Sequence, residues 1–295
     1  MTGTGTAGTA GTGTAGTGTA GTGTAGTGTT GTGTAGTAGT GTAGTGMTST
    51  GVAAAPAPEG TLTQRNARAV RTAVWVGLAG MFILFGAGFV LSGFVLPPSA
   101  GLSSAGIVSM YTEHQTRIRV GCFLMITGFS FVALWGCSLA SLTRLLEGRS
   151  AVVTYTQVTC ISVVTVIVVF APLIWALAAF RPGEIDPDVT RSINDLGWFL
   201  FLYPWPPLMI WLGVTGWAIL GDHSDEPLFP RWAGYLSFWT ALLSVPGGLI
   251  SFFKLGPFSW NGLFAYWVPL GVFFVWVVGM SAVMLRATRR REITP

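Results

Sequence analysis

Charge is scarce in this sequence of 295 residues: Asp, Glu, Lys and Arg together make up 9%, while 50% of the residues are hydrophobic. Soluble domains carry roughly 25% charged residues, because polar groups must cover a water-facing surface. A chain this poor in charge is suited to lipid. Histidine and cysteine are scarce too, at 2 and 3 residues. Cys122, Cys137 and Cys160 all fall inside apolar runs and form no C-x-x-C pair, which excludes a disulfide framework and a Cys/His metal site. Buried cysteines mostly behave as small hydrophobes. His114 and His223 fall in different loops, on opposite sides of the membrane in the topology derived below. They therefore share no metal and offer no pair to a b-type haem. No HExxH, GxSxG, P-loop or GxGxxG stands in a strand–helix setting. Neither a cofactor nor a catalytic acid, base or nucleophile set is expected, so an enzyme is the least favoured class. Ionisable groups well inside the apolar runs are almost lacking, which argues against a proton pump or an ion-coupled carrier.

What is present is aromatic and apolar. The 12 Trp and 19 Phe rival the 15 Lys and Arg, and Trp collects at lipid–water interfaces. The net charge of +4 is no nucleic-acid footprint. The basic residues stand singly at the ends of apolar runs, with one cluster at Arg289, Arg290 and Arg291, and such residues set membrane topology.

Six stretches reach the ~20 residues that a spanning helix needs: about 73–96, 120–142, 152–180, 196–220, 232–253 and 262–285. The expected fold is all-α, a polytopic membrane protein of about six transmembrane helices in one bundle (73–285). A basic cytoplasmic arm (61–72) precedes it and a basic tail (286–295) follows. Continuous apolar runs argue against a β-barrel, which reads as short alternating segments. Ahead of the bundle, residues 2–46 are Thr, Gly and Ala alone. Nothing there can anchor a core, so 1–60 reads as a disordered low-complexity tail. A mis-assigned start is the favoured expectation, with Met47 the true initiator; a real flexible tail is the alternative.

Orientation follows from Lys and Arg. With the N-terminus in the cytoplasm, ten lie inside (Arg65, Arg68, Arg71, Arg144, Arg149, Arg231, Arg286, Arg289, Arg290, Arg291) and five outside (Arg117, Arg119, Arg181, Arg191, Lys254). That bias puts both termini in the cytoplasm of a plasma-membrane protein. Within the first outer loop, 105–119 has helical character. It is either an amphipathic helix at the interface or an early extension of the second span.

Several features bear on function. In the first span, Gly77, Gly80, Gly86, Gly88 and Gly93 let neighbouring helices approach closely. In the fourth, Tyr203-Pro204-Trp205-Pro206-Pro207 must kink or break the helix, since proline removes a donor and clashes with a preceding carbonyl. Such breaks build binding sites in some transporters, although a static kink is the simpler reading. The fifth span carries Pro246-Gly247-Gly248 and the sixth Pro269. Asn194 and Asp195 open the fourth span, as an N-cap or as part of a ligand or partner site. Lys254 ends the fifth, where it snorkels to headgroups or pairs with Asp195. The candidate ligand or partner site is thus Asn194, Asp195, Lys254, Pro204, Trp205, Trp260 and Asn261. Thr154, Tyr155, Thr156, Gln157 and Thr159 form a polar run in the third span, best read as structural.

Three segments also carry a resemblance: Phe229-Pro230-Arg231-Trp232-Ala233-Gly234-Tyr235 followed by Pro246-Gly247-Gly248, then 253–262 (FKLGPFSWNG), and Asn194-Asp195-Leu196-Gly197-Trp198. Together they resemble a pattern in actinobacterial six-span integral membrane proteins, to which no activity is attached. The abundance of Gly, Ala and Val, with Arg far outnumbering Lys, fits a GC-rich bacterial genome. The expected partners are the lipid bilayer and a membrane protein or a second copy of the chain, not nucleic acid. The leading expectation is a non-catalytic accessory or scaffold subunit. The alternative is a transporter or binding protein for a small apolar or amphipathic molecule.

Overall fold

The computed structural model describes residues 64–293, with side chains over 66–289. The Thr/Gly/Ala tail, the Met47 start, and Arg65, Arg290 and Arg291 as side chains lie outside that description. Among the described residues there are helices and no strands. Six helical stretches are long and apolar enough to cross a membrane: Asn66–Ser92, Gln115–Leu146, Val152–Ala178, Pro187–Leu220, Arg231–Ser251 and Leu263–Arg289. The chain is an all-α, multi-pass integral membrane protein. Large apolar side chains such as Ile83, Val90, Phe123 and Trp217 point outward. Lipid rather than water suits those faces.

The spans are not uniform helices. The first consists of α1 (Gln64–Ala79), a π-helical turn (Gly80–Phe85) and α2 (Gly86–Ser92). A short helix, α3 (Ser104–Glu113), follows. The second and third spans are built on α4 (Gln115–Thr143) and α5 (Val152–Ala178). The fourth is broken into α6 (Pro187–Leu202) and α7 (Trp205–Leu220). In the fifth, α8 (Arg231–Ser244) runs into a 3-10 segment, Val245–Ser251. The sixth opens with a π-helical turn, Leu263–Trp267, and continues as α9 (Val268–Ile293). The spans neighbour each other in chain order, and α9 returns to α1, closing a ring.

Small residues set the tightest contact in that ring. A Cβ on Gly128 of α4 would lie 2.2 Å from the Phe85 nitrogen, and one on Gly88 of α2 would lie 2.5 Å from the Gly121 carbonyl. Gly77 and Gly80 also face α4, whereas Gly86 has open space around it and Gly93 ends α2 at φ +83°. Only the first group therefore serves close packing.

Two boundaries differ from the sequence reading. α6 starts at Pro187, where Asp186 caps it by accepting from the nitrogens of Asp188 (2.9 Å) and Val189 (3.3 Å). Asn194 and Asp195 are therefore two turns inside the helix and cap nothing. Of the two readings of 105–119, the extension of the second span is the one that fails, since α3 is a separate helix. The chain bends between α3 and α4 at His114, and α3 buries Ile107 and Tyr111 with α6 beside it.

Candidate functional site: an apolar cavity between two aromatic layers

Four helix discontinuities meet around one cavity of about 90 Å³: the first-span π turn, the Tyr203–Pro204 break, the 3-10 segment and the sixth-span π turn all supply lining residues. Every span contributes. Met81 and Phe85 come from the first, Phe129 from the second, and Val164 and Val168 from the third. The fourth adds Phe201, Leu202, Pro204, Trp205 and Leu208, the fifth Ser244 and Gly247. Ala265, Pro269, Leu270, Phe273 and Phe274 complete the wall from the sixth.

The prolines explain the local shape. Pro206 has no N–H, so the Leu202 carbonyl loses its helical partner. That carbonyl faces Gly247, where a Cβ would sit 3.1 Å from the oxygen. Glycine at 247 lets the 3-10 segment close on the break. Polar atoms in the wall are few. The Ser244 hydroxyl donates to the Thr240 carbonyl at 2.7 Å, and Trp205 Nε1 lies against Gly248. No charged side chain lines the cavity.

An aromatic cluster adjoins the cavity on each side, reaching its wall through Phe201 on one and Phe273 on the other. Loops 93–103, 179–186 and 252–262, with α3, gather at one end of the bundle, here the α3 end. Trp260 Nε1 ties two of them by donating to the Pro98 carbonyl at 2.8 Å, and Gln115 Nε2 bonds the Ala179 carbonyl at 3.2 Å. Toward that end lie Phe94, Trp175, Trp198 and Tyr266, with ring centroids 4.6 Å apart for Phe94–Trp175 and for Trp175–Trp198. Toward the opposite end lie Trp135, Trp211 and Trp276, edge to face at 5.1 to 6.1 Å. All five of these tryptophans are at most 1% exposed.

Their indole N–H groups divide them. Trp175 donates to the Asn194 carbonyl (3.3 Å), Trp135 to Ser281 Oγ (2.8 Å) and Trp276 to Ser237 Oγ (2.8 Å). The buried Nε1 atoms of Trp198 and Trp211 have no partner among the described residues. Both belong to the broken fourth span.

The residues singled out from sequence fall in two places. Pro204 and Trp205 line the cavity. Asn194, Asp195, Lys254, Trp260 and Asn261 lie toward the α3 end. Asn194 is a structural tie there: it accepts from the Tyr111 hydroxyl at 3.0 Å and donates to Asp195 Oδ1 at 3.2 Å. Burial, then the neighbouring Cys122 and Asp195, push the Tyr111 phenol well above its usual range, so it stays a donor. Asp195 feels the charges of Arg191 and Lys254, yet Asp195 and Lys254 form no ion pair within 4 Å among the described residues. Asn261 accepts from the Ser259 hydroxyl at 2.6 Å. In the polar run, Gln157 accepts from Thr143 at 3.1 Å and Thr154 N donates to Glu147 at 2.8 Å, which caps α5 well away from the cavity.

Such a space favours hydrocarbon. A charge brought into it would lose its hydration with no partner to replace it. An engineered apolar cavity of roughly 150 Å³ takes up benzene, so 90 Å³ has room for a short stretch of hydrocarbon rather than a sugar or nucleotide. Among the described residues no three His, Cys, Asp or Glu side chains gather to hold a metal ion. Compared with known proteins, the chain matches no protein-family model, no curated protein and no solved structure.

Proposed function

We propose that the protein binds a small neutral apolar molecule, or the hydrocarbon end of an amphipathic one, in the cavity lined by all six of its spans. The observation that carries this reading is the convergence of four helix discontinuities on one uncharged cavity. The proline break sacrifices backbone hydrogen bonds that lipid cannot replace, and irregular backbone at this depth belongs where it is buried or lines a cavity. π turns likewise recur at functional sites. A scaffold subunit needs none of these interruptions, and its outward apolar faces are the same faces that lipid covers. The accessory-subunit expectation therefore yields to the binding one. We further place the protein in a bacterial plasma membrane, on the actinobacterial resemblance. The end bearing Arg144, Arg149, Arg231 and Arg286 then faces the cytoplasm, on the ten-to-five excess of basic residues.

A short alkyl diazirine tests the reading in native membranes. Photolysis is expected to mark peptides carrying Phe129, Val168 and Leu208. Val168→Phe, which fills the cavity, is expected to lower that labelling by about tenfold, the factor that ~1.4 kcal/mol of binding free energy sets. Labelling confined to the lipid-facing residues in both proteins would contradict the proposal.

A further inference from the structure

We infer that the α7–α8 hairpin is a hinged gate over the cavity, opening it toward the end of the bundle that carries loop 221–230. The inference deepens the binding reading, on which it relies for the identity of the cargo but not for the mechanics of opening.

Four observations support the gate. First, both arms of the hairpin are interrupted at the level of the cavity. α7 begins at the Tyr203–Pro204 break, and α8 ends where the 3-10 segment with Pro246, Gly247 and Gly248 begins. Leu202, Pro204 and Gly247 all line the cavity, so the two interruptions lie side by side. Two adjacent interruptions in antiparallel arms define a hinge axis: prolines remove donors from the first, and the second exchanges α-helical for 3-10 bonding, which recurs at hinges.

Second, the hairpin coheres as one body. A Cβ on Gly216 would lie 2.9 Å from the Gly234 carbonyl, so α7 and α8 touch backbone to backbone. The turn is tied by Asp222, whose carboxylate accepts from Ser224 N (3.1 Å), Ser224 Oγ (2.6 Å) and Leu228 N (3.0 Å).

Third, the hairpin is held to the rest by packing against α5 and α9 with little hydrogen bonding. Among the described residues one side-chain hydrogen bond leaves it, from Trp276 Nε1 of α9 to Ser237 Oγ at 2.8 Å. The preceding half-helix, α6, contrasts with it. It is held through Tyr111–Asn194 (3.0 Å), Trp175–Asn194 (3.3 Å), Arg191 to the Ala100 carbonyl (3.2 Å), and a hydrogen bond from Ser104 to Asp188. The α3 end is therefore fastened while the hairpin end is latched once. A groove of about 680 Å³ also separates the hairpin tip at Asp225 and Leu228 from Val283 and Arg286 of α9.

Fourth, the hairpin carries Trp211, the member of the Trp135–Trp211–Trp276 cluster whose N–H has no partner among the described residues. Withdrawing Trp211 from between Trp135 and Trp276 breaks ring contacts and no hydrogen bond of its own. The bonded tryptophans of the layer, Trp135 and Trp276, sit on α4 and α9 outside the hairpin.

The test uses full-length protein in sealed vesicles of known orientation, with Cys122, Cys137 and Cys160 replaced by Ala and Val168→Cys as the reporter. A membrane-impermeant thiol reagent, which reaches residue 168 only when the hairpin withdraws and water follows it, is applied to one face at a time. Labelling is expected from the hairpin face, and slower or none from the α3 face. Ser237→Ala, which removes the latch and little else, is expected to speed hairpin-face labelling by about two- to tenfold, the factor set by the net worth of one neutral hydrogen bond. Pro206→Ala/Pro207→Ala, which returns donors to the break, is expected to slow it. Labelling mainly from the α3 face, equal labelling from both faces, no labelling in the Ser237→Ala protein, or a rate indifferent to Ser237→Ala would each overturn the gate. Diazirine labelling in the same vesicles separates the two readings. A cavity that admits the thiol reagent through the hairpin but takes no diazirine leaves the gate standing and removes the cargo.

Discussion

At the scale of single residues, polar groups in this protein act mainly as ties, and their placement decides which parts are rigid. Asn194 and Trp260 each fasten the α3 end, while the Trp211 indole is buried with no partner. A buried donor without an acceptor costs roughly 1–3 kcal/mol, so Trp211 stays in place through ring packing alone. The carboxylate of Asp222 offers a direct titration. Burial pushes it up, but hydrogen bonds from the Ser224 hydroxyl and from the backbone N–H groups of Leu228 and Ser224, with His223 nearby, outweigh this and hold it below its usual range. The folded value lies below the unfolded one. The turn's stabilisation is therefore complete above the unfolded carboxylate pKa of about 4 and is lost as pH falls through the folded value. Hydrogen-exchange protection across 222–228, relative to the intrinsic rate at each pH, is expected to fall on acidification below about pH 4, and in Asp222→Asn that extra step should vanish. An acid step of the same size in the variant would place the titration elsewhere.

At the scale of elements, glycine and proline set the geometry in opposite ways. Glycine lets α2 and α4 touch, and proline forces the fourth span apart. Gly128→Ala places a methyl group against the Phe85 backbone, and overpacking of this kind costs about 1–3 kcal/mol. Gly86→Ala, with open space at the same position of its own residue, is expected to be neutral or slightly stabilising, since alanine is the better helix former. Unfolding of the two variants in mixed micelles compares them directly, and equal losses would contradict the packing account.

These two residue types were also the most legible in the sequence. Pro204, Pro206 and Pro207 announced the break, and the Pro246-Gly247-Gly248 bend was visible beside it. The π turn at Gly80–Phe85 was not, because no proline or charge marks it. Nor could the start of α6 be read from hydropathy: its first two turns are polar, and only the Asp186-Pro187 cap signals them.

At the scale of the whole molecule, six spans close a ring, and the cavity sits between an aromatic layer fastened to the α3 end and one that shares Trp211 with the hairpin. The number of spans could be read from sequence because an apolar run of the right length has few other outcomes. The interior could not. α7, and α5 and α9 over 160–178 and 268–285, carry no charged residue, so no charged stripe separates the lipid-facing side from the core. Tryptophan misled for the same reason: read as interfacial, six of the twelve prove to be buried. The candidate site from sequence joined Asp195 and Lys254 to the break, whereas Asp195 and Lys254 lie toward the α3 end and Pro204 and Trp205 alone of that set face the cavity.

The most direct test of the central claim is mass spectrometry of the protein extracted gently from native membranes, with everything that accompanies it. The account predicts one small neutral apolar or amphipathic molecule per chain, retained by the parent and lost from Val168→Phe. A preparation holding no such molecule, or one that keeps it unchanged in Val168→Phe, would contradict the account. A stoichiometric second polypeptide in its place would return the protein to the accessory-subunit class.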